Sequence, residues 1–266
     1  MPELPEVETV RRDLAAAVRG KKIVAVQVNR AQVIRQPDVR RFVKGLAGVT
    51  ITGVLRRGKL LVLELSNGKA LTVHLKMTGQ LVYPGDARTS RVSFRFSDGT
   101  WLDFNDQRVF GEVRLLDDWH MLPLVRSFGP EPLEMSREQF AGLFAGRSTR
   151  IKPLLLDQKV IAGIGNLYAA EILFRCGIDP RRWAGSLSTA EIGRMYTATR
   201  AVLAAAIKHG GSSVDDYVRV SGKPGAYVPY HKVYARSGKP CLKCRTTIER
   251  ISQGGRGTYF CPACQR

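Results

Sequence analysis

The chain of 266 residues contains no apolar run of the ~20 residues that a bilayer-spanning helix needs. Its first residues are charged and include proline, so they also lack the apolar core of a secretory signal peptide. These absences argue against a membrane-spanning protein and make the cytoplasm the expected compartment. With 44% hydrophobic residues the chain can still bury a core, and its length suggests two domains.

Acidic residues are scarce. The chain has 23 Asp and Glu against 42 Lys and Arg, which gives a formal net charge of +19 and a pI of about 10.2. Such an excess of positive charge favours a polyanionic partner. Nucleic acid is the simplest candidate, and an anionic membrane surface is the second.

Cysteine is also rare, and four of the five cysteines lie in the last 26 residues. Cys241 and Cys244 form one close pair, and after sixteen intervening residues Cys261 and Cys264 form another. This spacing is typical of a tetrahedral four-thiolate zinc site, which leaves no open position for water. We expect one structural Zn²⁺, because a ribbon of about 30 residues buries too little surface to fold alone. Cys176 is expected in the core.

Hydrophobic periodicity predicts an α+β chain. A helix is expected over about 5–19, and strands follow one another over 49–116, with hairpin turns at Asn67-Gly68 and Asp98-Gly99. An antiparallel β-sandwich or flattened barrel is the expected result. Capping boxes at Ser136 and Ser188 predict a mainly helical second domain. The predicted boundaries are 1–118, an irregular linker at 119–133, 134–236, and a cysteine ribbon at 237–266.

The first residues have unusual chemistry. If Met1 is removed, Pro2 presents a secondary amine that titrates near ~8 and is partly neutral at pH 7. Such an amine can attack the anomeric carbon of a sugar, expel the attached base and leave an iminium. Glu3 and Glu6 are candidates for the accompanying acid–base steps. In a purely structural interpretation, Pro2 and Pro5 only delay the start of a helix that has acidic residues in its first turn.

Three polar stretches interrupt the β-rich region, namely RRGK at 56–59, HLKMTG at 74–79 and DQRVFG at 106–111. Arg91 lies before the third stretch and is a candidate phosphate contact. GIGNLYAAE at 163–171 places two glycines before a helix, whose amides can bind phosphate. Each stretch alone also has an ordinary explanation as a solvated turn, a core methionine or a close helix crossing.

Together with the opening MPELPEVETV and the segment KPLLLDQKVIAGIGNLYAAEILF, these stretches resemble the motifs of the formamidopyrimidine-DNA glycosylase family, in family order. The resemblance implies an N-terminal β-sandwich flanked by helices, a C-terminal helix-two-turn-helix domain and a β-hairpin zinc ribbon. It also implies a bifunctional glycosylase and AP lyase. Such an enzyme excises oxidised purines from damaged double-stranded DNA through a Schiff base at Pro2, followed by β- and δ-elimination.

The resemblance further implies roles for individual residues. Glu3 would protonate the sugar ring oxygen and Glu6 would orient the terminus, while Lys59 and Arg256 would neutralise the departing phosphates. A basic, glycine-rich segment at about 217–234 would be either a lid over the everted base or a flexible linker. Three of the DNA contacts, Met77, Arg108 and Phe110, would fill the gap left by that base. The expected DNA contacts are His74, Met77, Arg108, Phe110, Lys152, Asn166, Arg147 and Arg91.

Some positions depart from the family patterns HLGMSG and DPRRFG, because Lys76, Thr78, Gln107 and Val109 stand where those patterns have other residues. Thr89 replaces a histidine common in relatives. Two alternatives remain: an endonuclease VIII-like glycosylase for oxidised pyrimidines, and a non-catalytic lesion-binding protein. The opening PELPEVE rather than PEGPE favours the purine branch. A monomer without a membrane partner is expected.

Overall fold

The computed structural model describes residues 1–266 and divides by its internal packing into two compact units. Unit 1 comprises residues 1–126 and 209–228, and unit 2 comprises residues 127–208 and 229–266. The domain boundaries expected from the sequence stay a prediction. None of the helices combines the length and apolar character that a bilayer-spanning helix needs.

Unit 1 contains two β-sheets and two helices. The helices are α1 (Leu4–Val18) and α2 (Val39–Leu46), and the strands are β1 (Ile23–Val28), β2 (Ile34–Gln36), β3 (Ile51–Arg57), β4 (Leu60–Leu65), β5 (Ala70–His74), β6 (Gly79–Val82), β7 (Val92–Phe96), β8 (Trp101–Asp106) and β9 (Glu112–Leu116). The strand orders are β1-β7-β8-β6 and β2-β9-β5-β4-β3. Only the β2–β9 pairing is parallel. Side chains from both sheets and both helices share one core, which confirms the predicted α+β class.

The two predicted hairpin turns are confirmed. Asn67-Gly68 joins β4 to β5 and Asp98-Gly99 joins β7 to β8, and the two glycines have φ of +79° and +84°. These values suit glycine, which has no Cβ to resist a positive φ. In β1 the side chain of Val24 is 44% exposed, at a register shift in the pairing with β7.

Helix α1 anchors the amino terminus in unit 1. Val7, Val10, Leu14 and Val18 recur at three- and four-residue steps, and each is at most 1% exposed. Burying each of them stabilises the fold by roughly 1.5–3 kcal/mol. The helix therefore holds the residues at its start in a fixed position.

Unit 2 is mainly helical and ends in a β-hairpin. The chain passes from unit 1 to unit 2 within a short helix, α3 (Pro123–Ser127), which lies in the segment that was predicted to be irregular. The capping boxes predicted at Ser136 and Ser188 are both present. The remaining elements are α4 (Arg137–Gly142), α5 (Ile151–Leu156), α6 (Asn166–Cys176), α7 (Thr189–Lys208), β10 (Glu249–Gln253) and β11 (Arg256–Phe260).

The chain that leads into the cysteine ribbon is fixed to α6 by one carboxylate. Glu171 is 3% exposed and accepts hydrogen bonds from the backbone N–H groups of Lys232, Val233 and Tyr234 at 2.9, 3.0 and 2.8 Å. Burial raises the pKa of Glu171, although these three donors oppose the shift. The ribbon is therefore tied to the helical part of unit 2 through Glu171.

We expect Glu171→Ala to lower the free energy of unfolding by about 3 kcal/mol, because three backbone donors lose a buried acceptor. Urea unfolding of the full chain measures this change. Glu134→Ala, at an exposed position of the same unit, is the control and should leave the midpoint close to wild type. Equal midpoints for Glu171→Ala and wild type would contradict this account.

Candidate functional site

The amino terminus is held by the carboxylate of Glu6, which is 3% exposed. One oxygen accepts from the backbone N–H of Glu3 at 2.8 Å, and the other accepts from the N–H of Ser212 at 2.9 Å. Gly211 permits this approach, because its φ is +80° and a Cβ there would lie 3.0 Å from the Glu6 side chain. Pro2 is buried beside this fixed backbone. The residue predicted as the nucleophile is therefore next to a rigid support.

Lys59 lies in the turn between β3 and β4 and is 5% exposed. Arg56 in the same stretch donates to the Glu8 carboxylate of α1 at 3.3 Å. Burial alone would raise the pKa of Glu8, but hydrogen bonds from Arg11 and Arg12 outweigh burial and lower this pKa to about 2. The turn that carries Lys59 is thus bound to the helix that follows Pro2.

His74 ends β5 and is 8% exposed. Its Nδ1 accepts from the backbone N–H of Lys76 at 3.0 Å, so in the neutral ring Nε2 carries the hydrogen. Burial, followed by the charge of Lys76, lowers the pKa of His74 to about 3. A neutral ring with a donating Nε2–H suits the predicted phosphate contact.

Lys76 occupies a position where the family pattern has glycine. Its φ is +52°, in the left-handed region, and its ammonium nitrogen lies 3.2 Å from a Glu112 carboxylate oxygen. The loop therefore keeps a glycine-like backbone conformation with a lysine in place. The ion pair with Glu112 directs this extra cation towards β9.

Two neighbouring loops expose the side chains predicted to enter the DNA stack. Met77 is 40% exposed and Phe110 is 48% exposed, and the Arg108 guanidinium carbon lies 4.6 Å from the Phe110 ring centroid. The loops touch, because the Arg108 N–H donates to the Thr78 hydroxyl at 3.2 Å. Large apolar side chains exposed on two loops that touch are typical of a binding surface. The structure thus brings these three predicted residues together.

In unit 2, Lys152 is buried rather than presented to solvent. It is 1% exposed, and its ammonium donates to the Asn166 side-chain oxygen at 2.6 Å and to the Thr258 hydroxyl at 2.8 Å. The Asn166 amide in turn donates to the Gly257 carbonyl at 3.0 Å. Lys152 therefore fixes Asn166, the first residue of α6, to the ribbon hairpin. Its predicted phosphate contact stays a prediction.

The two weaker candidates lie in different units. Arg91 in unit 1 donates from Nε to the Asp106 carbonyl at 2.7 Å, which braces the loop of Arg108. Arg147 in unit 2 is exposed, and its backbone carbonyl accepts from Gly185 N–H at 3.0 Å. Their DNA contacts also stay predictions.

The four ribbon cysteines fit a zinc ion. Their sulfur atoms all lie within 4.8 Å of one another, and none is in a disulfide. The Cys244–Cys261 and Cys241–Cys264 sulfur distances are 3.4 and 4.0 Å. A regular tetrahedron with Zn–S of about 2.3 Å places sulfurs about 3.8 Å apart. Cys241, Cys244, Cys261 and Cys264 would therefore hold one structural Zn²⁺, with no position left for a substrate.

Arg256 follows the turn of the ribbon hairpin. Gly254 and Gly255 between β10 and β11 have φ of +58° and +71°, as a two-residue type I′ turn requires. Arg256 is the next residue and is exposed. The hairpin thus presents one guanidinium at its tip.

Several residues that hold these groups in place were not predicted from the sequence. They contribute buried acceptors or backbone N–H groups across long sequence separations, and no local pattern marks them. They are Glu171, Ser212 and Thr258.

By its fold and its cysteine cluster, this chain is a two-unit α+β protein with a structural zinc ribbon. Family models match along the chain: the formamidopyrimidine-DNA glycosylase N-terminal domain over residues 1–113, its H2TH domain over 128–218, and the zinc finger found in FPG and IleRS over 238–266. The chain belongs to the formamidopyrimidine-DNA glycosylase family. This confirms the resemblance inferred from the motifs.

Similar proteins match over essentially their full length. The formamidopyrimidine-DNA glycosylase of Pelotomaculum thermopropionicum is 45% identical over 274 residues, covering 100% of this chain and 99% of that protein. MutM (FPG) of Thermus thermophilus is 39% identical with a TM-score of 0.89, covering 99% and 98% of the two chains. A Lactococcus lactis FPG mutant in complex with a Fapy-dG containing DNA is 33% identical with a TM-score of 0.91, covering 100% of both.

The lowered pKa of His74 predicts a specific loss of stability in acid. In the unfolded chain the His74 ring has a pKa near 6.5, so at pH 5 it binds a proton that the same ring in the folded chain does not bind. Between pH 8 and pH 5 the wild type should therefore lose about 2 kcal/mol more unfolding free energy than His74→Asn, which keeps an acceptor. His120→Asn, at an exposed histidine, should follow the wild type in urea titrations. Parallel pH dependence of wild type and His74→Asn would refute this prediction.

Zinc content tests the ribbon. We expect one zinc per chain in the wild type and none in Cys261→Ser, together with rapid proteolysis after residue 236, because the ribbon depends on the metal for its fold. Cys176→Ala is the matched control, since Cys176 lies in the core at the end of α6 and should not affect zinc content. Stoichiometric zinc in Cys261→Ser would contradict the assignment.

Proposed function

We propose that this protein is a bifunctional DNA glycosylase and AP lyase of base excision repair, which removes oxidised purines such as 8-oxoguanine and formamidopyrimidines from duplex DNA. The observation that carries the proposal is the support of the amino terminus by Glu6. Its carboxylate accepts hydrogen bonds from the backbone N–H groups of Glu3 and Ser212. An amine reacts fastest when it is held in the reactive position before the reaction begins. Family membership supports the same activity.

DNA binding begins with charge. The net charge of +19 attracts the duplex through the release of counterions from its phosphates. Moving the damaged nucleotide out of the stack costs a few kcal/mol, and the exposed Met77, Arg108 and Phe110 offset this by filling the gap. His74, Asn166 and the other predicted contacts then hold the flanking phosphates.

Chemistry follows at C1′ once Met1 has been removed. The neutral Pro2 nitrogen attacks C1′, and the glycosidic bond breaks with its electron pair leaving on the base, which takes up a proton. Glu3 protonates the ring oxygen, the C1′–O4′ bond opens, and the nitrogen loses its hydrogen to give an iminium. Loss of a C2′ proton expels the 3′ phosphate, loss of a C4′ proton expels the 5′ phosphate, and water then releases Pro2. Lys59 and Arg256 stabilise the charge on the departing phosphates.

None of these steps uses a redox or nucleotide cofactor. The rest of the molecule holds the reacting residues in place. The four thiolates hold the ribbon, and so Arg256, through zinc. We further propose that the protein acts as a monomer in the bacterial cytoplasm, where a reducing environment keeps these four cysteines out of disulfides.

Borohydride trapping tests the proposed function. The Met1-processed protein, incubated with a duplex that contains 8-oxoguanine opposite cytosine, should give a covalent protein–DNA adduct. Pro2→Gly should give far less adduct, and Glu3→Gln should slow single-turnover cleavage about a hundredfold, because a positioned acid is lost.

A duplex with thymine glycol in place of 8-oxoguanine is the substrate control. Faster cleavage of that duplex would favour the oxidised-pyrimidine alternative. DNA binding by the processed protein without any adduct on either duplex would favour a lesion-binding protein instead.

A further inference from the structure

Asp106 lies at the end of β8 and is 2% exposed, beneath the loop that carries Arg108 and Phe110. One carboxylate oxygen accepts from the Thr78 hydroxyl, and the other accepts from the backbone N–H of Gly111 at 2.6 Å. Thr78 belongs to the loop of Met77. One buried carboxylate therefore binds both loops.

The Thr78 hydroxyl completes this connection. It donates to Asp106 and also accepts from the backbone N–H of Arg108 at 3.2 Å, while its residue is only 7% exposed. Arg91 adds a hydrogen bond to the Asp106 carbonyl at 2.7 Å. We call Thr78 and Asp106 the clasp. Both carboxylate oxygens of Asp106 and the hydroxyl of Thr78 have hydrogen-bond partners within the protein.

The backbone between the exposed residues needs such a constraint. Val109 has φ of +56°, a conformation that a β-branched residue adopts only at a cost in free energy. Its side chain packs against the core of unit 1, while Phe110 beside it is 48% exposed. The loop thus keeps Val109 inwards and Phe110 outwards, and the clasp holds the two ends of this turn.

We propose that Thr78 and Asp106 are positioning residues that join the two loops into one rigid wedge, so that Met77, Arg108 and Phe110 enter the vacated stack together. The proposal rests on the proposed glycosylase function and adds these two residues to it. A preformed wedge needs no ordering of its loops when DNA binds, so its insertion offsets more of the cost of base eversion.

The matched pair Thr78→Val and Thr78→Ser tests this idea, because only serine keeps the hydroxyl. Single-turnover cleavage of the 8-oxoguanine duplex should be about tenfold slower for Thr78→Val and near wild type for Thr78→Ser. The second substrate is a single-stranded oligonucleotide with an abasic site, which has no base pairs to wedge apart. On this strand both variants should cleave within about twofold of wild type.

Rates are normalised to the fraction of enzyme trapped by borohydride on the single strand, so misfolded protein does not count. Asp106→Asn, whose amide nitrogen cannot accept a hydrogen bond, is the second variant and should show the same selective loss. A double-mutant cycle with Phe110→Ala provides the decisive readout. If Thr78 acts by positioning Phe110, Thr78→Val should cost little further rate in the Phe110→Ala background.

Additive losses in the cycle, or equal losses on duplex and single strand, would overturn the wedge proposal. So would an unchanged duplex rate in both Thr78→Val and Asp106→Asn. A wild type that cleaves neither substrate would instead refute the proposed function. The two failures are therefore distinguishable.

Discussion

The proposed chemistry depends on one buried carboxylate, that of Glu6. A carboxylate removed from water needs hydrogen-bond partners, and here backbone N–H groups from residues 209 positions apart, Glu3 and Ser212, are among them. Arg219, which pairs with Asp13 of α1 at 2.8 Å, fixes the same returning segment to the helix. The amino terminus is therefore held from two directions, as a nucleophile that must meet a sugar carbon at a set distance requires.

The same arrangement recurs throughout the molecule. Groups that are predicted to touch DNA lie next to buried polar groups that fix their backbone or side chain. Thr78 and Asp106 hold the loops of the exposed Met77 and Phe110, and the buried Lys152 holds Asn166. The thiolates of the ribbon support Arg256 in the same way through zinc. In the proposed function, positive charge attracts the polyanion, and these buried contacts set where it reacts.

Much of the fold could be predicted from the sequence because its signals are local. Asn67-Gly68 and Asp98-Gly99 specify hairpins, Ser136 and Ser188 begin helices, and the cysteine spacing specifies a metal site. The burial of Lys152, the left-handed Val109 and the amide of Ser212 at Glu6 could not be predicted, because each depends on residues far away in the sequence. Motifs predict which residues carry the chemistry, and tertiary contacts determine how those residues are held.

The proposed mechanism requires that the Pro2 nitrogen forms the bond to the sugar. Mass spectrometry of the borohydride-reduced complex, after digestion of the DNA and cleavage of the protein with trypsin, identifies the modified residue directly. We expect the remnant of the sugar on the peptide of residues 2–11, with fragment ions that place it on Pro2. A remnant on Lys59, Lys76 or any other lysine, with the peptide of residues 2–11 unmodified, would contradict it.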